Sequence, residues 1–364
     1  MTLQKLLLIN YRNIAYQEIV LSPSWNLFYG GNAQGKTNIL ESIYLTAKGR
    51  SFKGGTDRDL IRFGQRSAYV CSELMRRKRK KRVEVKISMV DRKRVRINEV
   101  EVENWKELSD QFEVVLFAPE SIALVQGGPA ERRHFLDDLL KNKEARYGSC
   151  LQAYEKILAQ RNALLKSPKD AWFDRQLDIL DHQLAETGFQ ILSGRQKLLS
   201  ELSPLAEQAM ERMSGQKETV MLSYFSSAPP AQEIENPQAL EQLLLDRRAE
   251  DQNQGFTGIG PHKDDLLLSV NGLSSRKFAS QGQARSLTLA LKLAEMKLVE
   301  RYKGLRPLLL LDDVFSELDE ERIRFLLAEI SDYQAVLTAN HLPLEAQQQG
   351  AVFQVKGGRI SVSS

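Results

Sequence analysis

Apolar residues recur along this chain with two different periods, and the change of period divides it. Trp25-Asn26-Leu27-Phe28-Tyr29 is a short, mostly apolar run that predicts a strand. From Asn38 to Ala47, with Ile39, Leu40, Ile43 and Tyr44 at helical spacing, the pattern predicts a helix. Val83, Val85 and Ile87 alternate with polar residues, as on a half-buried strand. The middle has a longer period. Phe135, Leu139, Leu140, Leu151, Tyr154, Ile157, Leu158 and Leu165 predict helix from Ala130 to about Lys166, and Ser167-Pro168 breaks it. Leu177, Leu180, Leu184, Ile191, Leu198 and Leu199 predict a second helix from about Trp172 to Met213. A Pro- and Ser-bearing stretch, Ser226 to Pro237, marks a return. A helix over Ser286 to Arg301 follows, then strands at Pro307 to Leu311 and Gln334 to Asn340.

These elements predict an α/β head assembled from both chain ends, with a helical domain inserted. The expected division is 1–125 for the N-terminal part of the head, 126–240 for the helical domain and 241–364 for the C-terminal part. The chain has 364 residues, 42% hydrophobic and 27% charged, which suits a soluble globular protein. No apolar run approaches the ~20 residues of a membrane span, and the first residues lack a signal peptide's apolar core. No membrane association is expected. Cys71 and Cys150 give neither a disulfide framework nor a metal spacing, which points to a reducing cytoplasm.

Chemistry enters at Gly30-Gly31-Asn32-Ala33-Gln34-Gly35-Lys36-Thr37, which fits G-x-x-x-x-G-K-[ST] between the first strand and its helix. A phosphate there meets backbone N–H groups and the positive end of the helix dipole, near Asn38. Lys36 is expected to reach the β- and γ-phosphates of ATP, and the Thr37 hydroxyl to ligate Mg²⁺. A second half-site ends the leucine run. Asp312 and Asp313 follow Leu308 to Leu311, at the carboxyl end of a strand, where open α/β sheets bind ligands. Asp312 is placed to hold Mg²⁺. Asp313 is placed to orient or deprotonate a water.

Charge adds a partner. Residues 76 to 96 hold 12 Lys/Arg and 2 Asp/Glu, a net +10 against +4 for the whole chain, which leaves −6 for the rest. Arg76, Arg77, Lys78, Arg79, Lys80, Lys81 and Arg82 form an unbroken run, and Arg92, Lys93 and Arg94 follow it. A basic β-ribbon on an acidic body suits contact with a nucleic-acid backbone and not base reading.

Several motifs carry a resemblance. Ser280-Gln281-Gly282-Gln283, at the start of the helix before Asp312, resembles the signature motif of ATP-binding-cassette ATPases. Ser316-Glu317-Leu318-Asp319 resembles their D-loop. Asn10-Tyr11-Arg12-Asn13 is similar to the N-terminal motif of SMC-like ATPase heads. Gly49 to Phe52, Phe117 to Glu120, Leu124 to Asp137 and Gly260 to Leu266 resemble segments of the RecF family. The matches span residues 10 to 319. The resemblance implies an ABC-type, SMC-like ATPase head. It implies that Arg12 contacts the nucleotide, and that Ser280, Gly282 and Gln283 grip the γ-phosphate of ATP on an opposite protomer. It also implies an ATP-dependent homodimer that binds duplex, gapped or single-stranded DNA and hydrolyses ATP slowly, with DNA stimulating it. RecR, RecO and the RecA recombinase are the implied partners, in repair, replication restart and the SOS response.

Three positions depart from the pattern. Ala33 stands where many relatives carry glycine. Asp313 is shorter than the usual glutamate. Ala339 occupies the switch-histidine register and His341 lies two residues late, so that role has no residue. Gln126 and Glu120 are both candidates for the Mg²⁺-ligating glutamine position. Two other readings stay open: a cassette subunit of a transporter, and a DNA-binding module that uses ATP only as a ligand.

Overall fold

The computed structural model describes residues 1–364 apart from 77–78, 103–107, 109–110, 229–233, 343–349 and 364. It divides into two compact units, one of Met1–Ser121 with Val299–Ser364, the other Ile122–Leu298.

The first unit holds two six-stranded sheets. One is antiparallel, in the order β2-β1-β4-β5-β6-β7. Its strands are β1 (Thr2–Tyr11), β2 (Ile14–Val20), β4 (Ser67–Arg76), β5 (Arg79–Ser88), β6 (Arg94–Ile97) and β7 (Val100–Glu101). The expected alternation over Val83, Val85 and Ile87 lies on β5, and all three are buried. The other sheet runs β15-β14-β3-β13-β12-β8. It comprises β3 (Trp25–Tyr29), β8 (Val114–Phe117), β12 (Leu308–Leu311), β13 (Ala335–Ala339), β14 (Gly350–Lys356) and β15 (Arg359–Val362). Its strands are parallel except at the β14–β15 edge. Every residue of β12 and β13 is buried, which is why these read as continuous apolar runs. Helix α1 (Lys36–Lys48) is buried almost all round, and Ile39, Leu40 and Ile43 join residues of both sheets in one core.

The second unit contains α2 (Pro129–Lys143), α3 (Tyr147–Leu165), α4 (Phe173–Ser214), α5 (Pro237–Asp246), α6 (Arg248–Gln254) and most of α7 (Gln281–Lys303). The single helix expected over 130–166 is two, because Glu144 takes an extended conformation that ends α2. The unit is not purely helical. Strands β9 (Val220–Phe225), β10 (Asp265–Val270) and β11 (Leu273–Ser274) form a three-stranded sheet. Pairing of β9 with β10 draws residues 241–298, expected in the head, into the same packed unit as the helices.

Buried polar pairs set this second unit. Arg161 is fully buried and donates to Asp181 at 2.5 Å and to Asp251 at 2.7 Å. Arg195 donates to both oxygens of Asp137 and to the carbonyl of Pro261. His262 accepts the Tyr154 hydroxyl at Nδ1, 2.7 Å away, and donates from Nε2 to the Thr257 carbonyl at 3.1 Å. Burial pushes the His262 imidazole down to about 4.

A candidate nucleotide site and a basic face

Three neighbouring parallel strands, β3, β13 and β12, end together. Their carboxyl ends carry the phosphate-loop residues, then Thr338 and Asn340, then Asp312 and Asp313. Asn32 to Asn38, Lys53, Asp312, Asp313, Thr338 and Asn340 line one cavity.

The loop's shape follows from its glycines and their neighbours. Gly35 lies at φ 111°, and a Cβ there would sit 2.7 Å from Asn13 Oδ1. At Gly30 a Cβ would meet the carbonyl of Val355 at 2.3 Å. Because α1 is N-capped by Gly35, no cap side chain competes for its first N–H groups, which stay available to an anion. Ala33 lies at φ 60°, a left-handed conformation that glycine adopts without strain and alanine does not. Lys36 donates to the carbonyls of Gly30 at 2.6 Å and Gly31 at 2.9 Å, and to Asn340 Oδ1 at 3.1 Å. Burial lowers its ammonium below the ordinary lysine value, and the charges of Asp313 and Asp312 oppose that.

Thr37 and Asp312 meet. The Thr37 hydroxyl donates to Asp312 Oδ1 at 2.9 Å. The Thr338 hydroxyl donates to the same oxygen at 2.8 Å and accepts the backbone N–H of Asp313 at 2.8 Å. Burial holds the Asp312 carboxyl above the usual range, against the hydrogen bonds from Thr338 and Thr37. Asp313 itself lies at φ 48°, rare for a residue with a Cβ. Its carboxylate accepts from Asn340 Nδ2.

The residues fit a nucleoside triphosphate with Mg²⁺. Loop amides and Lys36 could donate to phosphate oxygens, and Thr37 Oγ1 with the adjacent Asp312 Oδ1 could serve as hard oxygen ligands. Among the described residues no cluster of three His, Cys, Asp or Glu could hold a metal on its own, so such an ion would depend on the phosphates too.

Arg12, which the resemblance placed at the nucleotide, bonds groups of the head itself. It occupies a two-residue turn between β1 and β2 at φ 51°. Its guanidinium donates to both oxygens of the buried Glu41 on α1, at 2.9 and 2.6 Å, and to the carbonyl of Asp59 at 2.9 Å. The hydrogen bonds to Glu41 raise the Arg12 guanidinium. Its neighbour Asn13 reaches the loop instead, donating to the Gln34 carbonyl at 3.0 Å and accepting from Asn38 at 3.0 Å. The sequence reading assigned none of Thr338, Asn340, Asn13 and Lys53 to the nucleotide site, although Asn13 lay beside Arg12 in the same motif. Thr338 left a physical signal, as a lone hydroxyl in an otherwise apolar buried strand that must find a partner.

Ser280, Gly282 and Gln283 belong to the second unit, at the start of α7. Ser280 Oγ accepts the N–H of Gln283 at 3.1 Å, and Gln283 Oε1 accepts the N–H of Ser280 at 3.0 Å, a reciprocal capping box. Of the two candidates for a ligating glutamine position, Glu120 lies in the first unit and Gln126 in the second.

The basic segment forms the β4–β5 hairpin and β6, with Arg76 opposite Arg79. Arg77 and Lys78 lie outside the described residues. Lys81, Arg82 and Lys93 have partners within the unit. Lys81 donates to Gln111, Arg82 to Cys71 and Tyr69, and Lys93 to the Gly49 carbonyl and Asp57. Arg79, Lys80, Arg92 and Arg94 are exposed, as are Lys86 and Arg96, which the motif reading left aside.

The family model of the RecF/RecN/SMC N-terminal domain matches residues 2–354. A DNA replication and repair protein RecF of Agathobacter rectalis is 36% identical over 367 residues, covering 100% of this chain and 99% of its own. The chain belongs to the RecF family. Its likeness to the RecF of Clostridium novyi is 35% identity over 344 residues, 94% of each chain. A solved structure of the recombination mediator protein RecF with ATP, in the RecFOR pathway, matches with a TM-score of 0.90 at 31% identity, over 100% of this chain and 98% of that one. The RecF-type ATPase head is therefore the fold, as the α/β reading expected. Among the described residues no helix is long and apolar enough to cross a membrane.

Proposed function

We propose that this protein is an ATP-gated DNA-binding protein of recombinational repair. The observation that carries the reading is the meeting of Thr37, Asp312 and Asp313 around one cavity at the phosphate loop. ATP supplies a γ-phosphate whose presence or absence sets the state of the protein. Lys36 and the loop amides bind its phosphates, and Thr37 with Asp312 hold Mg²⁺. Asp313 orients the attacking water and takes its proton. Its short, hydrogen-bonded side chain favours slow turnover. Two protomers close over two ATP molecules, with Ser280 of each on the γ-phosphate of the other. The capping bond uses Ser280 as an acceptor, which leaves its own hydrogen for a phosphate oxygen. Duplex or gapped DNA lies across the exposed basic face. By family, RecR and RecO are its partners, and RecA loading at single-strand gaps is the outcome.

Sedimentation with ATP, ADP and no nucleotide, repeated with a short gapped duplex, tests this reading. A dimer that forms with ATP alone, and that binds the duplex more tightly, is expected. A mass unchanged by ATP would count against it. A second reading, with ATP as a ligand only, is favoured by the left-handed, tethered Asp313; it predicts ATP-dependent dimerisation with no turnover, with or without DNA.

A further inference from the structure

One side chain joins the phosphate-binding lysine to the acid that faces water. Asn340, just after β13, accepts from Lys36 Nζ at Oδ1 and donates from Nδ2 to both carboxylate oxygens of Asp313, at 3.3 and 3.2 Å. The amide's orientation is fixed by its partners, since an ammonium only donates and a carboxylate only accepts. Three acceptors take the three hydrogens of Lys36. A phosphate oxygen therefore reaches that ammonium by exchange with one of them. Two are backbone carbonyls of the loop itself. The third, the longest of the three, belongs to a side chain that can turn.

We propose that Asn340 is a positioning residue that couples occupancy of the phosphate site to the direction of the Asp313 carboxylate. This deepens the nucleotide-site reading and rests on it. While Lys36 holds Asn340 Oδ1, the amide is fixed at both ends and Asp313 is turned toward it. Once Lys36 bonds a phosphate, the amide keeps only Asp313 and follows it. The carboxylate can then face the water whose oxygen bonds the γ-phosphorus as the bridging P–O bond breaks. ADP and phosphate leave, and the water's proton passes to Asp313. Thr338 keeps the backbone of Asp313 in place throughout, through its hydroxyl.

Two near-isosteric substitutions in the full chain separate this role from a structural one. Asn340→Leu keeps the shape and removes both bonds. It frees Lys36, so the affinity for fluorescently labelled ADP should stay equal or rise severalfold, while single-turnover hydrolysis of ATP slows at least tenfold. Asn340→Asp keeps an acceptor for Lys36 and sets a second carboxylate beside Asp313. Labelled ADP should bind it at least tenfold more weakly, and hydrolysis should slow as well. Affinity lost in Asn340→Asp but not in Asn340→Leu, with slower hydrolysis in both, supports the coupling. Equal losses of affinity in both variants, or both variants within twofold of wild type, overturn it while leaving the nucleotide site intact. Wild-type protein that binds no labelled nucleotide overturns the site reading, and this inference with it.

Discussion

The side-chain oxygen of Gln34 accepts the backbone N–H of Gly357 at 2.6 Å, tying the phosphate loop to the β14–β15 turn. The Gln34 carbonyl accepts the N–H of Gly358 at 3.0 Å and the Asn13 amide at 3.0 Å. The loop is thus braced from outside its own motif, by the turns of two β-hairpins. Gly358 lies at φ 75°, and a Cβ there would meet the Asn13 carbonyl at 2.4 Å. Gly358→Ala should therefore displace the turn and weaken nucleotide binding at least tenfold. Gln34→Ala loses the bond to Gly357 and a longer one from its Nε2 to the Asn32 carbonyl at 3.3 Å; the first is worth about 1 kcal/mol, so affinity should fall about fivefold. Titration with labelled ADP checks both, and an unaltered affinity in Gly358→Ala would show that the brace is irrelevant.

Ala33 gives a second expectation. A left-handed alanine is strained by about 1–2 kcal/mol, and glycine removes that at an entropic cost of about 0.5–1 kcal/mol. Ala33→Gly should leave the melting midpoint equal or slightly higher. Ala33→Val, β-branched at the same φ, should lower it clearly. A valine variant as stable as wild type would mean the loop relaxes to another conformation.

Local chemistry made the phosphate loop and the two acids legible in the sequence, because a turn, a lysine and a strand end are each written in consecutive residues. Thr37 and Asp312, each expected to hold Mg²⁺, lie 2.9 Å apart through a hydrogen bond. What held these groups in place was not legible. Thr338 lies on, and Asn340 just after, a strand inserted between β3 and β12, and strand order is not encoded in any one segment. The bond of the Arg12 guanidinium to the buried Glu41 was not legible either, since the two residues lie on different elements. Expected helices around 172–213 and 286–301 correspond to α4 and α7, while the β9–β10 pairing joins segments about 40 residues apart and left no local trace.

Ser280 carries two duties that one substitution would confound. Ser280→Ala removes the cap as well as the hydroxyl, at about 1 kcal/mol for the cap. Ser280→Asp keeps an acceptor for the Gln283 N–H and places a negative charge where a phosphate is proposed to sit. The aspartate variant should melt like wild type, bind ATP, and sediment as a monomer with ATP. Dimerisation at the wild-type ATP concentration would remove Ser280 from the proposed interface.

His262 sets a pH dependence for the second unit. Its folded value, near 4, lies below the ordinary 6.5, so the unfolded chain takes up a proton that the folded one refuses. Stability from this group is present above about pH 6.5 and is lost as pH falls toward 4. The gap between the two values corresponds to about 3 kcal/mol. His262→Gln cannot take that proton. Its melting midpoint should be lower at pH 7.5, through lost hydrogen bonds to Tyr154 and Thr257, yet fall less steeply between pH 6.5 and 4. Parallel pH curves for the two proteins would refute the assignment.

The basic face joins a stability cost to the proposed contact with DNA. On β5, Val83, Val85 and Ile87 point into the core, so Lys80 and Lys86 share the outer face. On β6, Val95 is buried and Arg94 and Arg96 are exposed. The register sets Lys86 directly opposite Arg94, and like charges so placed repel. Replacing Lys86 and Arg94 with alanine should therefore raise the melting midpoint slightly at low salt. The same change should weaken duplex binding, since a phosphate between the two cations would relieve the repulsion. With Lys80 and Arg96 also replaced, the log–log salt slope should flatten by about 0.9 for each phosphate no longer neutralised, with nucleotide affinity intact. Arg82→Ala should behave otherwise. Its guanidinium serves Cys71 and Tyr69 inside the unit, so its removal should cost stability first. A slope unchanged in the fourfold variant would move the DNA site off this face, toward Arg50 and the residues that follow α1.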